Sequence, residues 1–108
     1  MDGGCGRRVV ARGTRVTTWY ARQYGRLIKF GSERSLAVAR TVNALTSANE
    51  LPGPSDFEAH EKPVGRAWVR RVGGRNIWLW YRFNEVEVML LTLTTEPPVP
   101  LNDEPGRG

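Results

Sequence analysis

Cysteine is all but missing from this chain: Cys5 is the only one, in the glycine-rich start "MDGGCGRR". A lone thiol excludes an internal disulfide framework and any CxxC metal cluster, and it suits a reducing compartment. A long apolar run is missing as well, so no segment reads as a membrane span. The start is rich in glycine and arginine rather than patterned as a secretory signal. Histidine is limited to His60, in "FEAHEK", with no recognisable nucleophile motif in the chain; the expectation is an exposed loop histidine rather than a general base. These absences lead to a soluble cytoplasmic protein with no membrane association, no metal and no cofactor.

Arginine is what the chain has in quantity. Of its sixteen basic residues all but Lys29 and Lys62 are arginine, and the net charge is +5 over 108 residues. The guanidinium fork matches phosphate and carboxylate geometry, so a small basic chain of this kind points to nucleic acid or to an acidic protein. The length fits a single domain over 1–108, with 1–7 and 96–108 as flexible tails.

Along the chain, "RRVVA" (residues 7–11) is a short strand candidate stopped by Gly13. From residue 14 to 29, Val16, Trp19, Tyr20, Gln23, Tyr24, Leu27 and Ile28 recur at the spacing of one helical face. Ser32 then caps a second helix, with Glu33 in its first turn and Leu36, Ala39, Val42 and Leu45 along one stripe. Residues 48–65 carry prolines, glycines and four of the eleven acids, the composition of a long surface connection.

The period then changes. "RAWVRRV" and "NIWLWYRF", divided by the turn "GGR", read as strands, and "VEVMLLTLTT" follows after an Asn84–Glu85 turn as a third, apolar enough to be covered on both faces. Gly73 and Gly74 neither follow a parallel strand nor open a helix, which argues against a phosphate loop. The order predicts an α+β fold: an N-terminal strand, a helical hairpin and an antiparallel three-stranded meander, the helices packed on one sheet face.

Within residues 66–83 lie five arginines, three of the four tryptophans and no acid. Ile77, Leu79, Tyr81 and Phe83 form the better core row, which places Trp78, Trp80 and Arg82 on the opposite face. Two readings of that second row stand side by side. The tryptophans complete a small second core under the tail or the first strand, or they form a stacking and cation–π platform for bases or a partner segment. Arg70, Arg71 and Arg75, with no acid near them in sequence, are expected to face water or an anionic partner.

The hairpin "WVRRV" (residues 68–72), a turn, and "LWYRF" (residues 79–83) resembles that of the RelE/ParE superfamily of toxins from type II toxin–antitoxin pairs, in particular its Txe/YoeB-like branch. The likeness spans residues 8 to 95 in element order and some eighteen residues in motif. It implies a RelE/ParE-like fold, ribosome-dependent mRNA cleavage, growth inhibition and neutralisation by a cognate antitoxin. A ParE-like gyrase inhibitor and a non-enzymatic basic module binding nucleic acid or protein are the alternatives. Ribonuclease members carry a catalytic arginine three residues before the strand tyrosine, where this chain has Trp78, and basic residues after the last strand, where it has "TTEPPVPL". The resemblance therefore assigns no catalytic residue. It leaves Arg70, Arg71, Arg75, Trp78, Trp80 and Arg82 as candidates for contact with RNA, ribosome or partner.

Overall fold

In the computed structural model, residues 11–101 are described. The elements are β1 (Gly13–Val16), α1 (Thr18–Leu27), α2 (Glu33–Ser47), β2 (Phe57–Glu61), β3 (Gly65–Arg71), β4 (Trp78–Phe83) and β5 (Glu87–Thr94). They form an α+β fold with two helices and a single five-stranded mixed sheet, ordered β1-β5-β4-β3-β2. β1 runs parallel to β5, and every other pair is antiparallel. Among the described residues no helix is long and apolar enough to cross a membrane.

The three strands expected after residue 65 are present, but the meander has a fourth member. β2 lies inside the stretch read as a surface connection. Its Phe57 and Ala59 alternate with Glu58 and His60, and Phe57, Glu58, Ala59 and His60 pair in register with Val69, Trp68, Ala67 and Arg66. The prolines and glycines stop just short of it, leaving five residues with period-two alternation to add to the sheet. His60 is therefore an exposed strand residue rather than a loop residue.

Most of the residue 7–11 candidate lies outside the described residues, and the observed strand begins at Gly13, the residue expected to end one. The predicted helix from residue 14 is shortened by the same event. β-Branched Thr14 and Val16 sit comfortably on a pleated strand, and Thr17 then caps α1, its Oγ1 accepting from the Tyr20 N–H at 3.1 Å. The Thr17 hydroxyl donates in turn to the Leu91 carbonyl at 2.6 Å.

That carbonyl belongs to a bulge. Trp80 pairs with Thr92 and Tyr81 with Leu90, so β5 carries one extra residue at Leu91. The bulge explains how Leu90 and Leu93, three apart, both reach the core beneath the helices. Gln23 Nε2 donates to the Leu93 carbonyl at 3.2 Å, a second tie between α1 and β5.

Both helices pack on one face. Tyr20, Ile28, Ala37, Val38 and Leu45 meet Val72, Ile77, Leu79, Tyr81, Val88, Leu90 and Leu93 in the main core. The row Ile77, Leu79, Tyr81 is thus where the alternation placed it. The stripe on α2 is rotated from the expected one: Ala37, Val38, Thr41 and Leu45 are buried, whereas Leu36 is 53% exposed. Small side chains let α2 approach the β3–β4 turn, where a Cβ built on Gly73 would lie 3.9 Å from the Ala37 Cβ. Ser32 caps α2 as expected, accepting from the Ser35 N–H at 3.2 Å.

The opposite face holds a second core of Ala59, Val64, Ala67, Val69, Trp78, Trp80 and Leu91, flanked by Phe57 and Met89. Of the two readings of the tryptophan row, the buried one holds: Trp78 is 7% exposed and Trp80 1%. The expected tail 1–7 lies outside the described residues. Of 96–108, residues 96–101 are described, and the Leu101 N–H donates to the Glu58 carbonyl at 2.8 Å, on β2.

Candidate functional site

The sequence leaves Arg70, Arg71 and Arg75 without a nearby acid; the fold supplies two from a distance. On β3 the residues facing the helical core are Trp68, Arg70 and, just beyond the strand, Val72, so Arg70 enters the fold on the same side as Tyr81. It is held there by Asp56. Arg70 Nε donates to Oδ1 at 2.6 Å and Nη2 to Oδ2 at 2.8 Å. The Gly53 N–H donates to Oδ2 at 2.8 Å, and the Tyr81 hydroxyl donates to the same oxygen. The Asp56 side chain is fully buried, and that of Arg70 is 18% exposed.

Such a carboxylate is stable only because its acceptor sites are filled. Burial pushes the Asp56 carboxyl upward most strongly of any single influence. The hydrogen bonds from Arg70, Tyr81 and Gly53, with the Arg70 charge, together outweigh burial and hold it below its ordinary value. The Arg70 guanidinium is raised, chiefly by its hydrogen bonds to Asp56. Tyr81 is raised by burial first and then by Asp56. Asp56 is thus a poor base and Tyr81 a poor source of protons, so the trio suits a structural clasp better than acid–base chemistry.

Above this clasp a cleft of about 630 Å³ opens between α2 and the β3–β4 turn, lined by Glu33, Leu36, Arg40, Arg70, Arg71 and Arg75 among others. The turn is built by Gly73 (φ 44°) and Gly74 (φ 75°), both in the left-handed region that glycine enters at little cost. The Arg75 N–H donates to the Val72 carbonyl at 2.8 Å, closing the turn. The turn carries Arg75 to α2, where its Nη2 lies 3.3 Å from Glu33 Oε1. Arg71 is fixed differently. Its Nε donates to the Arg75 carbonyl at 2.8 Å, its Nη2 to Asn76 Oδ1 at 3.1 Å, and its guanidinium lies over the Trp78 ring, 5.3 Å from the centroid. The cation–π contact expected of an external ligand is therefore made within the chain, and it helps to bury Trp78.

The remaining candidates lie apart. Arg82 turns its guanidinium to the Val64 and Arg66 carbonyls at 2.8 and 2.9 Å, bracing the start of β3. Trp80 faces the second core, with Nε1 donating to Thr94 Oγ1 at 3.0 Å. The fold thus brings Arg70, Arg71 and Arg75 to one cleft, places Trp78 beneath Arg71, and removes Trp80 and Arg82 from it.

Arg40, Glu33 and Asp56 are the residues that sequence reasoning missed here. For Arg40 the signal was helical spacing from Glu33 and Leu36 on α2. For Asp56 it was the parity of Arg70, since an arginine at a core-facing strand position needs a buried carboxylate. Four arginines and one carboxylate line the cleft and leave it cationic, with Arg70 paired to Asp56 and with Arg71 and Arg75 held in place by bonds within the chain. Among the described residues no group of side chains could hold a metal ion. The chain matches no family model, no curated protein and no solved structure.

Proposed function

We propose that the protein is a toxin-like member of the RelE/ParE superfamily that engages RNA through the arginine cleft and is neutralised in the cytoplasm by a cognate antitoxin. The observation that carries the reading is the convergence of Arg40, Arg70, Arg71 and Arg75 on one cleft with Glu33 as its lining carboxylate. Fixed guanidinium forks recognise successive phosphates without needing a particular base. The hairpin motif, and the order of one strand, two helices and an antiparallel run of strands, support the superfamily and a RelE/ParE-like topology.

Ribosome-dependent mRNA cleavage is the activity that follows from this membership. It needs cations to hold charge developing on the phosphate and a base for the 2′-hydroxyl. The cleft offers the cations in quantity. Its carboxylate, Glu33, is 86% exposed and paired with Arg75.

A second reading, favoured by one observation, is a ParE-like gyrase inhibitor or a binding module without nuclease activity. Trp78 stands where ribonuclease members carry a catalytic arginine, and it is buried beneath Arg71. Induced expression separates these readings. Growth arrest with cleavage of mRNA, lost in Arg71→Ala, supports the nuclease. Arrest with intact RNA and an induced DNA-damage response supports gyrase inhibition. Unimpaired growth removes the toxin reading.

A further inference from the structure

Trp19 belongs to the stripe expected to face the core, yet it is 44% exposed. The helix turns Tyr20 inward instead, and Trp19, Arg22, Gln23 and Arg26 follow one another at the i, i+3, i+4, i+7 spacing of a single face. This face walls a cleft of about 320 Å³, opposed by Glu61, Lys62 and Pro63 at the β2–β3 turn and floored by Thr92 and Thr94. It shares no lining residue with the arginine cleft.

The face is not loosely placed. Gln23 donates to the Leu93 carbonyl at 3.2 Å, and its Oε1 accepts from Arg26 Nη1 at 3.3 Å, so one guanidinium is oriented along the helix. The cleft volume is at the lower end of small-ligand sites. Its lining combines a partly exposed indole, three cations (Arg22, Arg26 and Lys62) and one acid, Glu61.

We infer that this cleft is a base-stacking site for single-stranded nucleic acid, with Trp19 taking one base on its ring and Arg22, Arg26 and Lys62 meeting the flanking phosphates. An isolated indole amid cations fits a planar π-face followed by charge, the arrangement by which single strands are held without sequence preference. Arg22 and Arg26 are four residues apart, about 6 Å along the axis at the helical rise, comparable with successive phosphates of an extended strand. An acidic protein segment would satisfy the cations and leave the ring without a flat partner. The inference extends the nucleic-acid reading above to a second, separate contact.

Titration of the full chain with a short oligouridylate, followed by tryptophan fluorescence and by anisotropy of a labelled strand, tests it. Trp19→Ala is expected to weaken binding about tenfold, the scale of one lost base–aromatic stack, while Trp19→Phe retains most of the affinity. Arg22→Gln/Arg26→Gln is expected to flatten the dependence of log affinity on log salt by roughly 1.4. These side chains are exposed or lie on an exposed helix face, so the circular dichroism spectrum should be unchanged. Binding by Trp19→Ala equal to that of the unaltered chain overturns the inference. So does equal competition by polyglutamate at matched charge, or an unaltered chain that binds no oligonucleotide. If Arg71→Gln/Arg75→Gln abolishes binding while Trp19→Ala is neutral, the arginine cleft stands and this site falls; the converse result retains this site and removes the cleft.

Discussion

Arg70 and Asp56 form a two-pronged ion pair inside the fold, with N–O distances of 2.6 and 2.8 Å and no exposed surface on the carboxylate. The pair joins the loop before β2 to the middle of the sheet, and the Tyr81 hydroxyl completes it. A clasp of this kind adds little over a well-packed apolar substitute, but breaking one side of it is costly because the other charge stays buried.

Asp56→Ala is accordingly expected to lower the unfolding free energy by about 3–5 kcal/mol, measured by urea denaturation. Tyr81→Phe removes only a hydroxyl bond to a charged group and should cost about 1.5–3 kcal/mol. An Asp56→Ala midpoint equal to that of the unaltered chain would show that the carboxylate contributes nothing to stability.

Acid should act through the same residue. The folded-state pKa of Asp56 is depressed, so its contribution is present above the unfolded aspartate value of about 3.9 and is lost as pH falls through the lower folded value. Stability against urea is expected to decline below about pH 4, and Asp56→Asn should flatten that decline. A decline of the same steepness in the variant would assign it to other carboxylates.

Base should act through the tyrosines. Burial, and then neighbouring Tyr24, push Tyr20 up to about 12. The neutral phenol is favoured in the folded chain, so its contribution is complete below the unfolded value of about 10 and is lost as pH rises toward the folded one. Absorbance at the tyrosinate band should show Tyr20 ionising late, and Tyr20→Phe should remove that late step while reducing the loss of stability at high pH.

Thr17→Val tests the join between α1 and the β5 bulge. It removes both the cap to Tyr20 and the bond to the Leu91 carbonyl, and a loss of about 1–2 kcal/mol is expected from the cap. Hydrogen exchange at the Tyr20 amide should accelerate; unchanged protection would mean that the cap bond adds nothing.

Where local pattern and tertiary pairing agree, the sequence could be read. Alternation along residues 77–83 places Ile77, Leu79 and Tyr81 against the helices, and Ser32 marks the start of α2. What it could not show was who pairs with whom at a distance. Residues 14–16 carry a passable helical spacing, and pairing with the parallel partner β5 makes them a strand. Phe57–Glu61 is five residues long amid loop composition, and β3 supplies its ladder. The arginine cluster looked unpaired because Asp56 and Glu33 lie fourteen and forty-two positions from their partners. The cleft thus depends on a meeting of α2 with the β3–β4 turn that no local window contains.

The pairing of β1 with β5 also constrains assembly during synthesis. β1 docks in register with β5, Gly13 against Glu87 and Val16 against Leu90. A ribosome-bound chain that has exposed both helices and β1 to β4 still lacks β5, the neighbour on which β1 lies among the described residues. The helical layer must wait over an unfinished floor until β5 emerges, so closure comes late and hinges on contacts of high sequence separation, which are slow to form.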